Sequence, residues 1–130
     1  MKEVYEFLKQ AQTYYLATVE GDQPRVRPFG TVDLFEDRLY IQTGKSKSVS
    51  QQIMANHKVE LCAFKDGRWL RVTGKLCRDD RREAKAHMLD SYPELKAMYS
   101  ADDDNTEVLY FTEAVATFYS FTEPPRTVAL

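Results

Sequence analysis

Apolar positions recur at two different periods along this chain. Val4, Phe7, Leu8 and Ala11 stand at i, i+3, i+4 and i+7, which predicts an amphipathic helix over residues 2–11. From Thr13 to Val19 the period shortens to that of a strand, and Gly21-Asp22-Gln23-Pro24 reads as a turn. Arg25 to Phe35 alternates clearly, with Val26, Pro28, Gly30, Val32 and Leu34 on one side and Arg25, Arg27, Phe29, Thr31 and Asp33 on the other. Glu36-Asp37-Arg38 then turns the chain into a β-branched and aromatic run, Leu39 to Thr43. After Gly44, Ser48 followed by Gln51 predicts a capping box, with Val49 and Ile53 as the apolar stripe of a short helix and Asn56 as its stop.

The second half repeats this alternation of strand and turn. Val59, Leu61 and Ala63 share one face of a strand, and Asp66-Gly67 is a strong hairpin signal leading to a long strand from Trp69 to about Cys77. Asp79 or Asp80 is positioned to cap a helix ending near Ser91, with Ala84, Met88 and Leu89 on its covered face. Pro93 suits the first position of a second short helix reaching Tyr99, and Ser100–Asn105 is an acidic surface loop. Glu107–Phe121 is strand again, kinked near Glu113-Ala114, and the tail from Thr122 to Leu130 is extended. The pattern amounts to six strands, mostly linked by hairpins, with an N-terminal helix, a helix inserted between the third and fourth strands and a helical excursion before the last. A mainly β, largely antiparallel small barrel in a single domain, residues 1–130, is the expected architecture.

Charge narrows the partners. The net charge of −2 gives no global basic field for nucleic acid, so any anion site must be local. The N-terminus is too polar for a signal peptide, and no window approaches about 18 apolar residues. A soluble cytoplasmic protein, without nucleic-acid or membrane partners, is expected. Cys62 and Cys77 lie in strand-like runs outside any metal spacing and read as buried free thiols.

Candidate chemistry concentrates in two stretches. Thr43, Ser46, Ser48, Lys45 and Lys47 surround a predicted helix start, where free amides and the helix dipole favour a phosphate. The run GKSKS lacks the earlier glycine of a P-loop, and a solvated turn is the competing reading. Arg25 and Arg27 project from one strand face and can meet one ligand, while Pro28 marks an edge or bulge. Two solvated arginines on an edge strand are the alternative there. The lone tryptophan, Trp69, shares a face with Arg71 and would cover an aromatic ligand, a dimer partner or the core. His57 reads as a surface residue and His87 as mid-helix without a partner, and neither forms a catalytic or metal-binding pattern with the cysteines. Any chemistry would therefore come with a cofactor.

In order and spacing, ATVEGDQPRVRPFG, LYIQTGKSKSVSQQIMANHKVELCAF, GRWLRVTGKL and EAVATFYSF resemble the FMN-binding split-barrel proteins related to pyridoxamine 5'-phosphate oxidase, in particular the short nitroimidazole-resistance-like members. The resemblance implies a six-stranded split barrel that forms a homodimer with FMN at the subunit interface. It implies that the Arg25–Phe29 strand, with Arg25, Arg27, Pro28 and Phe29, runs along the flavin ring. Gln42 and Thr43 would touch the ribityl chain and phosphate, Lys47 and Ser48 would hold the phosphate, and Trp69 would reach the flavin across the dimer. The implied activity is an oxidoreductase passing hydride from NADH or NADPH through flavin N5 to a small acceptor. A non-catalytic flavin sensor or carrier is the alternative, and a haem-handling or deazaflavin-dependent barrel a weaker one. The tail PPRTVAL has no match to the C-terminal extension that serves pyridoxal substrates in the larger oxidases, which argues against pyridoxamine phosphate oxidation.

Overall fold

In the computed structural model, which describes all of Met1–Leu130, eight strands form one antiparallel sheet. In chain order they are β1 (Tyr14–Glu20), β2 (Gln23–Phe29), β3 (Asp33–Phe35), β4 (Arg38–Gly44), β5 (Lys58–Lys65), β6 (Arg68–Asp79), β7 (Thr106–Ser120) and β8 (Arg126–Ala129). Their spatial order is β2-β1-β5-β6-β7-β4-β3, with β8 alongside β7. Helices α1 (Lys2–Ala11), α2 (Ser48–Ala55) and α3 (Arg82–Ser91) complete the domain, and a single 3-10 turn, Pro93–Ala97, follows α3.

Eight strands replace the expected six for two physical reasons. The run from Arg25 to Phe35 is not one strand, because β2 and β3 lie at opposite edges of the sheet and Gly30–Val32 must cross between them. At about 3.4 Å per residue, three residues span only about 10 Å. The sheet is thereby forced to curl until its edges nearly meet, giving an open, split barrel. The second addition is the tail. β7 pairs β4 over Thr106–Tyr110 and β8 over Val115–Phe118, changing partner at Glu113, whose φ is +49°. β8 covers an edge that β4 leaves open. Opposite this kink, the β6–β7 register slips between Thr73 and Lys75. Gly74 is required there, since a Cβ would stand 2.5 Å from the Ala114 Cβ.

The barrel interior is apolar and continuous. Leu16, Ile41, Leu61, Leu70, Val72 and Leu109 fill it, and α1 closes one end by burying Val4 and Leu8. Phe7 packs edge-on to Phe118 at 5.9 Å. A smaller cluster of Tyr40, Ala84, Met88 and Val108 seats α3 on the outside of β4 and β7. Cys62 and Cys77, expected as buried thiols, are half-buried and unbridged. No helix is long and apolar enough to cross a membrane.

Three local expectations are corrected. Ser48 does not cap α2: it is already helical, Lys47 occupies the cap position, and no side chain caps the helix. Asp79 does not cap α3, which starts one residue after Arg81. The Asp79 carboxylate is buried and accepts from the Tyr40 hydroxyl at 2.7 Å and from the Arg81 backbone N–H and Nε at 3.1 Å each. His87 does have a partner, because its Nδ1 lies 2.6 Å from the buried Asp33 carboxylate at the start of β3.

Burial alone would raise the Asp79 carboxyl, but the bonds from Arg81 and Tyr40 outweigh it and hold the group down at about 2. Burial, followed by the bond to Asp79, pushes the Tyr40 phenol up to about 12. Unfolded aspartate titrates near 3.9, so the unfolded chain binds more protons between roughly pH 4 and 2. The contribution of Asp79 is therefore fully present above about pH 4 and is lost as pH falls through about 2. Asp79→Asn is expected to flatten the acid loss of unfolding free energy over that window, measured by urea titration at stepped pH. An unchanged slope would contradict the assignment.

Candidate functional site

The seam between the sheet edges is held by side chains where a ladder would otherwise run. Tyr14 Oη donates to the Thr31 carbonyl at 2.6 Å, and the Gln42 backbone N–H donates to the Thr31 hydroxyl at 3.0 Å. Tyr92 Oη accepts from the Val32 N–H at 3.0 Å and donates to the Val32 carbonyl at 3.1 Å. Burial pushes the Tyr14 phenol well above its ordinary range, which keeps it a donor.

A cavity of about 240 Å³ opens on this seam. One wall is Arg27 to Thr31 from the β2 edge, and the other is Gln42 and Thr43 from β4. Lys47 and Val49 at the start of α2 form one end, and Leu95 in the 3-10 turn, with Met98 and Tyr99 just after it, forms a lip. Gln42 is 6% exposed, and both its amide nitrogen and its amide oxygen are buried without a hydrogen-bond partner. A buried amide left unpaired in this way costs about 1–3 kcal/mol. It is the one residue of the cavity wall whose polar side-chain atoms are both fully buried and unpaired.

The polarity of β2 is reversed relative to an ordinary half-buried strand. Register pairs Tyr14 with Phe29 and Leu16 with Arg27, so the arginine face points inward. Val26 and Pro28 point outward with Ala17 and Tyr15, and Val26 is 67% exposed. Arg27 is fixed by three acceptors: the Leu16 carbonyl at 3.2 Å, Thr18 Oγ1 at 2.7 Å and Gln52 Oε1 at 2.6 Å. Thr18 Oγ1 itself donates to Gln52 Oε1 at 2.6 Å. Burial, and then the neighbouring Arg25, lower the Arg27 guanidinium from its usual value, although an arginine remains charged.

Of the residues singled out from the sequence, Arg27, Pro28, Phe29, Gln42, Thr43 and Lys47 come together around this cavity. Arg25 turns away to pair with Glu20 at 2.8 Å. Ser48 is exposed in the first turn of α2 and outside the cavity wall. Trp69 lies elsewhere, stacked on Tyr119 with ring centroids 5.4 Å apart. Thr31, Leu95, Met98 and Tyr99 were not indicated by any motif, since only the fold brings residues 95–99 to the seam. The pairing of Gln52 with Arg27 was equally silent, 25 residues apart in the chain.

An open antiparallel barrel with a cavity of mixed polar and apolar lining on its seam, one end of it at an uncapped helix start, defines a class of small ligand-binding split barrels. A family profile described as pyridoxamine 5'-phosphate oxidase matches residues 1–119, and the chain belongs to that FMN-binding split-barrel family. It is similar to the solved structure of a NimC/NimA family protein from Clostridium acetobutylicum, with 46% identity and a TM-score of 0.97 over 100% of this chain and 92% of that one. A pyridoxamine 5'-phosphate oxidase-related, FMN-binding protein from Nostoc punctiforme PCC 73102 has 17% identity and a TM-score of 0.73, covering 97% of this chain and 85% of that one. A haem-binding protein from Mycobacterium smegmatis has 11% identity and a TM-score of 0.72 over 93% of this chain and 57% of that one. The last two share the fold. No curated protein matches the sequence.

Proposed function

We propose that the protein is a homodimeric, FMN-dependent oxidoreductase whose cofactor lies along the seam cavity. The observation that carries this reading is the unpaired amide of Gln42 in the cavity wall. FMN offers donors and acceptors on both its ring edge and its ribityl chain, which the Gln42 amide would meet on turning into the cavity. A phosphate of roughly −1.5 to −2 charge would be met by Lys47, by the Thr43 hydroxyl and by the free amides opening α2, including that of Ser48. Pro28 and Phe29 would flank the ring, and Arg25, engaged with Glu20, would contribute charge more than contact.

Bound flavin would supply hydride chemistry, accepting from a reduced nicotinamide and passing to a small acceptor. The chain's own part is electrostatic and steric. Arg27, held by three acceptors, presents a fixed positive charge that favours negative charge developing on the ring. The apolar lip of Leu95 and Met98 would exclude water from one side of the cavity.

The dimer is supported by two observations. The cavity of one chain, about 240 Å³, falls below the roughly 300–1,000 Å³ usual for cofactor sites, so a second copy would complete it. The outward face of the sheet beside the cavity carries large exposed apolar side chains around the Glu60–Arg71 pair: Tyr15, Val26 and Phe64 are 53%, 67% and 61% exposed. Register sets Tyr15 beside Pro28 and Phe64 beside Trp69, apolar pairs that a partner would cover. Trp69 would then act on the partner's groove. The unbridged thiols of Cys62 and Cys77 support a cytoplasmic setting.

One observation favours a second reading, flavin binding without turnover: no histidine, aspartate or glutamate lines the cavity. One experiment separates the two. The protein loaded with FMN should sediment at twice 15.1 kDa and bleach at its flavin band when NADH or NADPH is added without oxygen. A stable yellow dimer would leave the binding module, and a colourless monomer would contradict both. Within the proposed site, Lys47→Ala should weaken FMN binding by about 1.5–3 kcal/mol, the value of a hydrogen bond to a charged group. Equal flavin retention by the two proteins on a desalting column would remove Lys47 from the phosphate seat.

A further inference from the structure

We propose that Tyr99 is a ligand of the cofactor phosphate, presented by the acidic loop Ser100–Asn105; this rests on the FMN reading above. The segment around Gly44 has spent most of its own donors. The Lys45 N–H donates to the Asn105 carbonyl at 2.8 Å, the Ser46 N–H to Asn105 Oδ1 at 3.0 Å and the Lys47 N–H to the Gly44 carbonyl at 3.0 Å. Three successive amides are therefore tied, and the turn cannot wrap an anion with its backbone as a P-loop does. Only the first amides of α2 stay free. A doubly charged phosphate needs further donors from side chains.

Tyr99 stands where such a donor is needed. It lines the cavity together with Thr43 and Lys47, the same cavity whose wall holds the unpaired, buried Gln42 amide. Its hydroxyl lies 3.3 Å from the point a Cβ on Gly44 would occupy, and Asn105 Nδ2 lies 3.1 Å from that point. A Cβ at position 44 would crowd both, so glycine lets them sit this close. The loop that follows Tyr99 is built to be rigid. Asp103 accepts from the backbone N–H groups of Ser100 at 2.9 Å, Asn105 at 2.9 Å and Thr106 at 2.7 Å, and Asp102 pairs with Arg82 of α3 at 2.8 Å. Asp102, Asp103 and Asn105 thus brace the loop that follows Tyr99 and hold it beside Gly44.

The test compares FMN with riboflavin, which lacks the phosphate, by fluorescence titration of wild type and Tyr99→Phe. The expected result is a dissociation constant for FMN raised about tenfold, the size of one charge-assisted hydrogen bond, with riboflavin binding unchanged. Equal weakening for both ligands would make Tyr99 a packing residue and overturn the proposal. So would an unchanged preference for FMN in Tyr99→Phe, which leaves the FMN reading standing. A wild-type protein that does not distinguish FMN from riboflavin would overturn the phosphate seat itself, and this proposal with it.

Discussion

Closure of the sheet rests on Gly30–Val32, three residues that belong to neither of the strands they join. Because β2 and β3 are the two edges of one sheet, this short link pulls the edges together and bends every strand between them. Its backbone groups cannot enter a ladder, so Tyr14 takes the Thr31 carbonyl, Tyr92 takes both Val32 groups, and the Gln42 N–H binds the Thr31 hydroxyl. Each of those partners comes from a different element. A seam made this way is firm in its backbone and open between its side chains, and that opening is the cavity.

The same constraint explains why β2 runs against the usual polarity. An edge strand beside the seam covers core only at one end, so its inward positions carry Phe29 against Tyr14 and then Arg27, and its outward positions carry Val26 and Pro28. Arg27 is desolvated but saturated by Leu16, Thr18 and Gln52, which makes its charge a fixed feature of the site. Gln52 belongs to α2, whose first turn lies at the far end of the cavity. One short helix therefore orders both the guanidinium and the anion end, and displacing it would disturb both.

Most of the architecture was legible because it is written locally. The 3.6-residue stripe of α1, the Asp66-Gly67 turn with φ of +53° and +75°, and the buried face of Val59, Leu61 and Ala63 are all short-range patterns. The break at Gly30–Val32 was not legible, since the alternation continues through it and only the sheet order shows that the chain changes edge. The caps failed for a related reason. Ser48 and Asp79 carry the right side chains, but the chain entered α2 one residue early and Asp79 was claimed by Tyr40 and Arg81. In the site, the residues on β2, β4 and the opening of α2 could be read from motifs. Thr31, Gln52, Leu95, Met98 and Tyr99 could not, because their relation to the cavity exists only once the barrel has formed. His87 looked isolated for the same reason, its partner Asp33 being 54 residues away.

What remains is whether the unmet amide in the wall is kept for a ligand. Gln42→Met keeps the shape of the side chain and removes its polar atoms. If the amide is retained for FMN, this substitution should raise the melting temperature of the ligand-free protein while abolishing most of the stabilisation that added FMN confers. A variant that loses stability without FMN yet gains as much as wild type when FMN is added would contradict the central claim.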